Sequence, residues 1–249
     1  MIIVKTAEQI ERMRKSCRLL VEAFREAERL IAPGVRTKEI DAAVEDFIRS
    51  RGGIPAFKGY RGYPASVCIS VNEVVIHGIP GDQELREGDI VSLDMGVVVD
   101  GYYSDGARTY PVGPVSEEKQ RLMEAAREAL SEAIATAREG NRVGDISWAI
   151  QRTVESRGFS VVRQFCGHGI GRNLHEEPEV PNYGQPKTGP RLRRGMTLAL
   201  ETMVNAGTHE VEILSDGWTV VTRDRKPSAH FEHTVAITDG EPEVLTLGL

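Results

Sequence analysis

Two histidines and three glycines fall within eleven residues of this chain, in Cys166-Gly-His168-Gly-Ile-Gly-Arg-Asn-Leu-His175-Glu176. Imidazole can bind a metal, carry a proton near neutral pH or donate a hydrogen bond to developing charge. Glycines at this density make a long regular helix unfavourable and let a loop pass close to whatever the rings serve. Alone, such a segment is only a candidate. Acids elsewhere give it weight. Asp94 and Asp105 flank Asp100-Gly101, a dipeptide suited to a two-residue hairpin turn because both turn positions take positive φ. With Val99 opposite Tyr102, Gly96 faces Asp105 and Asp94 faces Ala107, so the two carboxylates become diagonal neighbours on one face. A solvated hairpin face could carry the same pair; if buried, the pair needs a cation to offset repulsion and desolvation. Glu201, after the apolar run Leu198-Ala-Leu, and Glu232, inside Phe231–Ile237, each interrupt an apolar strand pattern and raise the same question.

Taken together, His168 and the four carboxylates Asp94, Asp105, Glu201 and Glu232 form an oxygen-rich ligand set with one nitrogen. Such a set suits Mn, Fe(II), Co or Zn, whereas a structural zinc site would group thiolates. Four carboxylates carry more charge than one divalent ion offsets. Two ions roughly 3.5 to 4 Å apart would balance them and activate a water between them. The chain has no dinucleotide glycine fingerprint, phosphate loop or His-Glu-x-x-His helix.

The elements that must position these residues follow from periodicity. Thr6 and Gln9 form a capping box ahead of Ile10, Met13, Cys17, Leu20, Val21 and Phe24, predicting an amphipathic helix up to Pro33-Gly34. A second helix follows Thr37 and ends at Gly52-Gly53. Val67–Val71, Val74–Ile76, Ile90–Val99 and Tyr102–Thr109 then read as strands, with Phe57–Pro64 as an aromatic, glycine-rich loop. Ser116 caps a third helix ending near Gly140, and a fourth runs from about Gly144 to Gly158. Here the sequence repeats: Gly34 to Gly52 aligns with Gly140 to Gly158 at a constant offset of 106, including Ile40 with Ile146 and Ser50-Arg-Gly with Ser156-Arg-Gly. The repeat predicts an α+β fold, one domain over residues 1–249, built as two pseudo-symmetric helix-helix-strand modules, about 6–110 and 116–240. The site would lie at a central antiparallel sheet to which both modules contribute.

Across 249 residues, 27% are charged, 40% hydrophobic, and the formal net charge is −6. That charge argues against a general DNA-backbone binder. The N-terminus does not read as a secretion signal, and no apolar run approaches a membrane span. The three cysteines Cys17, Cys68 and Cys166 fit no disulfide framework, so a reducing, cytoplasmic setting is expected.

The ordered motifs, Ser66 to Pro80 with Asn72 and His77-Gly, the Asp94/Asp105 pair, Gly167-His168-Gly-Ile-Gly171 with His175-Glu176, Glu201, and Ser228-Ala-His-Phe-Glu232-His-Thr, resemble the methionine aminopeptidase family in its short bacterial type I form, within the pita-bread fold. The resemblance covers nearly the whole chain. It implies removal of the N-terminal methionine from nascent peptides with a small second residue. It also implies that two divalent metals are held by Asp94, Asp105, His168, Glu201 and Glu232, with Asp105 and Glu232 bridging. By the same resemblance Glu201 manages the proton of the attacking water, His77 sits beside the incoming peptide, and His175 hydrogen-bonds at the scissile carbonyl. Phe57, Tyr60, Tyr63, Cys68, Leu174 and Trp218 would line the methionine pocket. Asn72, Val74 and Ser228 would hold a Na or K ion through side-chain and carbonyl oxygens. The implied partners are the nascent peptide N-terminus and a transient ribosome contact, with the chain acting as a monomer and engaging neither DNA nor membrane.

The chain departs from the family pattern at Phe57 and Leu174 in the pocket, Gly106 after Asp105, Thr202 after Glu201, and His230 near Glu232, where glutamine is frequent. These departures bear on pocket shape and on the groups behind the ligands. Two other readings stand beside this one. An Xaa-Pro dipeptidase shares the fold and metal set but usually carries an additional N-terminal domain, whereas here only about one helix precedes the repeat. A non-catalytic pita-bread module that binds peptides or proteins tends to lose ligands that this chain keeps.

Overall fold

The computed structural model describes residues 1–249. The first half contains α1 (Ala7–Glu28), α2 (Thr37–Ser50) and strands β1 (Ile54–Pro55), β2 (Val67–Val71), β3 (Val74–Ile76), β4 (Ile90–Val99) and β5 (Tyr102–Pro111). The second contains α3 (Glu117–Thr136), α4 (Val143–Ser156), β6 (Ser160–Val161), β7 (Cys166–Gly169), β8 (Glu176–Pro181), β9 (Thr197–Asn205), β10 (Val211–Ile213), β11 (Val220–Thr222), β12 (Ser228–Ala236) and β13 (Glu243–Val244). Helix α4 begins and ends 106 residues after α2. This is the two-module, pseudo-symmetric pita-bread architecture.

Local sequence chemistry accounts for the helix starts. Thr6 Oγ1 accepts the Gln9 amide and the Gln9 side chain accepts the Thr6 amide, closing the capping box, while Ser116 Oγ caps α3 through Lys119 N. α1 ends at Glu28, a turn before the expected Pro33-Gly34 stop. The aromatic loop contains a short 3₁₀ turn, Tyr60–Gly62, with Arg61 at φ 49°.

The main sheet is antiparallel, in the order β1-β4-β5-β12-β9-β7-β8, so the β4–β5 hairpin of the first module meets β12 and β9 of the second at the centre. The hairpin takes the register set by its turn: Asp94 faces Ala107 and Gly96 faces Asp105, with Asp100 at φ 50° and Gly101 at φ 74°. Helix α1 packs on β4 and β5, and α3 on β9 and β12. Two apolar cores follow from this. Leu20, Phe24, Ile40 and Ile48 meet Leu93 and Met95 in one, and Leu122, Ala126, Ile146 and Ile150 meet Leu198 and Leu200 in the other. Along each central strand the residues alternate between these helix-backed cores and the opposite face.

One expectation is corrected here. Cys166–Gly169 is not an open loop but strand β7, paired with both β8 and β9. Its glycines serve strand packing: a Cβ on Gly169 would lie 2.2 Å from Glu177 O, and one on Gly167 would lie 2.5 Å from Ala199 O.

Candidate active site

The acids lie in two adjacent rows on the sheet face away from the helices. In the first, Asp94 faces Ala107, Ala107 faces Glu232, and Glu232 faces Glu201, across β4, β5, β12 and β9. Two residues along, Gly96 faces Asp105, Thr234 faces Ala199, and Ala199 faces His168. Thr234 joins that row to Asp105: its hydroxyl donates to Asp105 O at 2.7 Å and accepts Asp105 N at 3.1 Å. The positions between the ligand-bearing residues are Ala, Gly or Thr, which leaves room above them.

Burial makes this arrangement costly without a counter-charge. Asp94, Asp105, His168 and Glu232 are buried, and Asp94 Oδ1 and Glu232 Oε1 have no hydrogen-bond partner. Desolvation, then the neighbouring carboxylates, pushes Asp94 and Glu232 well above the usual carboxylate range. Asp105 is also raised by burial, in part offset by His168. Glu201 feels the same burial, yet the hydrogen bond and charge of His230 outweigh it and hold the carboxyl below its ordinary value. Orphaned carboxylate oxygens among mutually repelling acids are what a bound cation resolves.

Two groups have ligand atoms within 4.8 Å of one another: Asp94, His230 and Glu232, and Asp105, His168 and Glu232. They share Glu232 and so form a continuous two-ion site. Their oxygen and imidazole donors fit hard or borderline divalent cations. His168 is oriented for ligation. Its Nδ1 donates to Gly169 O at 2.9 Å, leaving the Nε2 lone pair directed at the acids, 3.5 Å from Asp105 Oδ2.

A cavity of about 300 Å³ opens over these groups. All five expected ligands line it, as do His77 and His175 and the six expected pocket residues Phe57, Tyr60, Tyr63, Cys68, Leu174 and Trp218. Tyr63 and Trp218 meet edge to face at 5.2 Å, and His77 packs edge-on against Trp218 and Phe165. Burial pushes the His77 imidazole down to about 4, so it is neutral near pH 7. His175 is pushed down to about 4 by loss of solvation and by His168, whose ring centre lies 4.3 Å away.

The structure adds contacts that sequence reasoning missed. Tyr60 is more than pocket wall: its hydroxyl lies 2.7 Å from His175 Nδ1, which leaves His175 Nε2 for another partner. Phe165, Ile76, Gln164 and Arg61 also line the cavity. The signal for Phe165 was its place immediately before the Cys-Gly-His segment. Lys5 and Glu176 form a buried ion pair at 2.6 Å behind the His175 segment, and no local pattern joins two positions so far apart.

The departures from the family pattern separate by face. Gly106 sits on the helix side, where a Cβ would meet Leu249 Cδ2 at 2.7 Å; only its backbone N–H, donating to Asp105 Oδ1 at 3.0 Å, reaches the site. Thr202 also points away, its hydroxyl donating to Ala126 O of α3 at 2.9 Å. His230 points in, with Nε2 2.9 Å from Glu201 Oε2. The expected monovalent-ion residues come together in part. Ser228 N donates to Asn72 O at 2.9 Å, and Val74 begins the adjacent strand β3. The Asn72 side-chain oxygen accepts both Ile90 N and Lys119 Nζ.

The family model of metallopeptidase family M24 matches residues 11–239. A methionine aminopeptidase of Clostridium perfringens is 53% identical over 247 residues, 99% of each chain. The crystal structure of a methionine aminopeptidase from Rickettsia prowazekii aligns with a TM-score of 0.98 at 41% identity, covering 99% of this chain and 100% of that one. A prolidase from Pyrococcus horikoshii aligns with a TM-score of 0.80 at 24% identity, over 64% of its own length, and shares the fold.

Proposed function

The chain belongs to metallopeptidase family M24, in its bacterial type I methionine aminopeptidase branch, and we infer from the site how it removes an N-terminal methionine by metal-dependent hydrolysis. The observation that carries the mechanism is the shared cavity: five candidate metal ligands, two neutral imidazoles and an apolar, sulfur-bearing wall border one space.

In the proposed arrangement Asp94, Asp105, His168, Glu201 and Glu232 would together hold two divalent ions. Ions bound there supply Lewis acidity, polarising a carbonyl and lowering the pKa of water. The protein's own groups do the rest. Phe57, Tyr63, Cys68, Leu174 and Trp218 accept the unbranched thioether by apolar, aromatic and sulfur contact. Glu201 takes the proton of the attacking water and passes it to the departing amine. Tyr60 holds His175 at Nδ1, so that Nε2–H can donate to the oxygen that gains charge at the scissile carbonyl. Neutral His77 borders the path of the peptide.

Preference for a small second residue belongs to this proposal, as do Mn, Fe(II), Co or Zn as the ion used and a Na or K ion at the carbonyls of Asn72, Val74 and Ser228. Action on nascent chains in the cytoplasm, as a monomer in transient contact with the ribosome, completes it. The three unpaired thiols accord with a reducing compartment. The test is release of methionine from Met-Ala and Met-Gly peptides, with Met-Leu as control and bound metal measured on the same samples. No release with any of the four metals, from folded protein that binds the peptides intact, would favour a binding module instead.

A further inference from the structure

Away from the catalytic cavity, the two modules repeat a set of backbone bonds where a loop crosses the start of a helix. In the first, Gly34 N donates to Leu85 O at 2.8 Å, and Thr37 N to Gln83 O and Lys38 N to Gly81 O at 3.0 Å. In the second, Gly140 N donates to Leu192 O, Val143 N to Pro190 O and Gly144 N to Thr188 O, each at 3.0 Å. One bridge joins Arg36 to Glu84, and its counterpart joins Arg142 to Arg191. Residues 81–85 and 188–192 thus occupy matching places, against α2 and α4.

The side chains on this shared backbone differ in charge. In the first module Arg36 pairs with Asp82 at 3.8 Å and Glu84 at 3.5 Å, and Lys38 pairs with Asp82 as well. In the second, Arg191 stands where Glu84 does, Gly189 where Asp82 does, Arg152 where Asp46 does and Trp148 where Ala42 does. Arg142, Arg152, Lys187 and Arg191 line one open groove of about 550 Å³ with Trp148. None of the four cations has an acid within ion-pair distance. The one acid in the groove, Asp145, is engaged by backbone, accepting Arg142 N at 2.7 Å and Lys187 N at 2.8 Å. Trp148 is 39% exposed and lies one turn before Arg152 on the same face of α4. The groove shares no residue with the catalytic cavity.

Cations gathered without counter-charge repel one another and draw in an anion. Guanidinium groups match phosphate oxygens in a planar, two-pronged fashion, and an exposed indole offers a face on which a base can stack. An acidic peptide would answer the charge and leave the indole uncovered. A duplex would answer the charge while keeping its bases paired. We propose that the groove between the start of α4 and the 187–191 loop binds a short single-stranded segment of nucleic acid, with phosphates on Arg142, Arg152, Lys187 and Arg191 and one base on Trp148. The chain's net charge of −6 confines such binding to this one surface. The proposal is independent of the hydrolytic reading.

Fluorescence anisotropy of the full chain with labelled single-stranded RNA and DNA octamers, from about 50 to 200 mM salt, tests it. Binding should weaken with salt at a slope of about 0.7 per phosphate contacted, so two to four contacts give roughly 1.5 to 3. Arg152→Glu with Arg191→Glu should weaken binding at least on the order of tenfold, and Trp148→Ala on the order of 5- to 100-fold, both with wild-type circular dichroism. Duplex DNA and an octaglutamate should bind at least on the order of tenfold more weakly than the single strands. Preference for the RNA or the DNA octamer identifies the sugar the groove accepts, and equal binding supports a site that reads phosphate and base alone. No binding at the lowest salt, octaglutamate or duplex bound as well as the single strands, or either variant binding like the wild type overturns the assignment. Methionine release by the wild type and both variants should be equal, so loss of nucleic-acid binding and failure of the hydrolytic reading are separate results.

Discussion

Lys5→Met tests how the N-terminal segment supports the site. Lys5 and Glu176 side chains are 3% and 4% exposed, and Lys5 Nζ lies 2.6 Å from Glu176 Oε2. The other Glu176 oxygen accepts Asn173 N at 3.2 Å, and Lys5 N donates to Gly195 O at 2.7 Å, so the pair ties the first residues to the turn that carries Leu174 and His175. Gly171 makes room for it, since a Cβ there would lie 2.5 Å from Lys5 Cε. Methionine keeps most of the stem but leaves the Glu176 charge buried with one backbone donor. Breaking a buried pair from one side costs about 3–5 kcal/mol. At about 2–4 °C per kcal/mol for a chain of this size, Tm should fall by roughly 6–20 °C. Removing both charges, as Lys5→Met with Glu176→Met, should recover more than half of the loss because no unpaired ion remains. Urea unfolding of all three variants with metal held constant gives the cycle. A single-variant loss below about 1 kcal/mol, the range of exposed pairs, or a double variant no better than the sum of the singles, would refute the reasoning.

Other consequences separate the roles of the site groups. His175→Ala should lower kcat on the order of 10²- to 10³-fold while both metals stay bound, as measured by metal analysis beside steady-state kinetics. His168→Ala should instead weaken metal binding itself in a calorimetric titration. Tyr60→Phe removes only the partner of His175 Nδ1. At about 0.5–1.5 kcal/mol for one hydrogen bond, it should reduce kcat/KM between about twofold and tenfold, and an unchanged value would remove Tyr60 from that role. Metal affinity should rise with pH above the ordinary carboxylate range. Asp94 and Glu232 are raised by burial and mutual repulsion, so in the metal-free protein they keep protons that their unfolded counterparts lose near pH 4, and binding must displace them. For the same reason the metal-free protein loses stability as pH rises through their folded pKa values, and the gain in Tm on adding Mn should grow over that range. Mn affinity independent of pH, with no proton release in weak buffer, would contradict those shifts.

Much of this was legible in the chain wherever structure depends on near neighbours. The Thr6/Gln9 box started α1 where expected, because a cap is satisfied within three residues. Asp100-Gly101 fixed the β4–β5 register, and with it the diagonal of Asp94 and Asp105, because a two-residue turn leaves one alignment. The 106-residue repeat set the matching ends of α2 and α4. It also pointed to the second module for further acids, and the five ligand types in order identified the chemistry. Tertiary structure decided which long-range partners those residues take. Glu232 faces Glu201, and both lie in a row with Ala107 and Asp94, only because β5 and β12 meet at the middle of the sheet; neither strand's alternation specifies that pairing. The same meeting sends Gly106 and Thr202 toward the helices and His230 toward Glu201, and loop packing sets Tyr60 against His175. Period-2 alternation divides a strand's residues into two faces. Which face becomes the core, and what lies across from it, is decided by burial of apolar surface between segments more than a hundred residues apart.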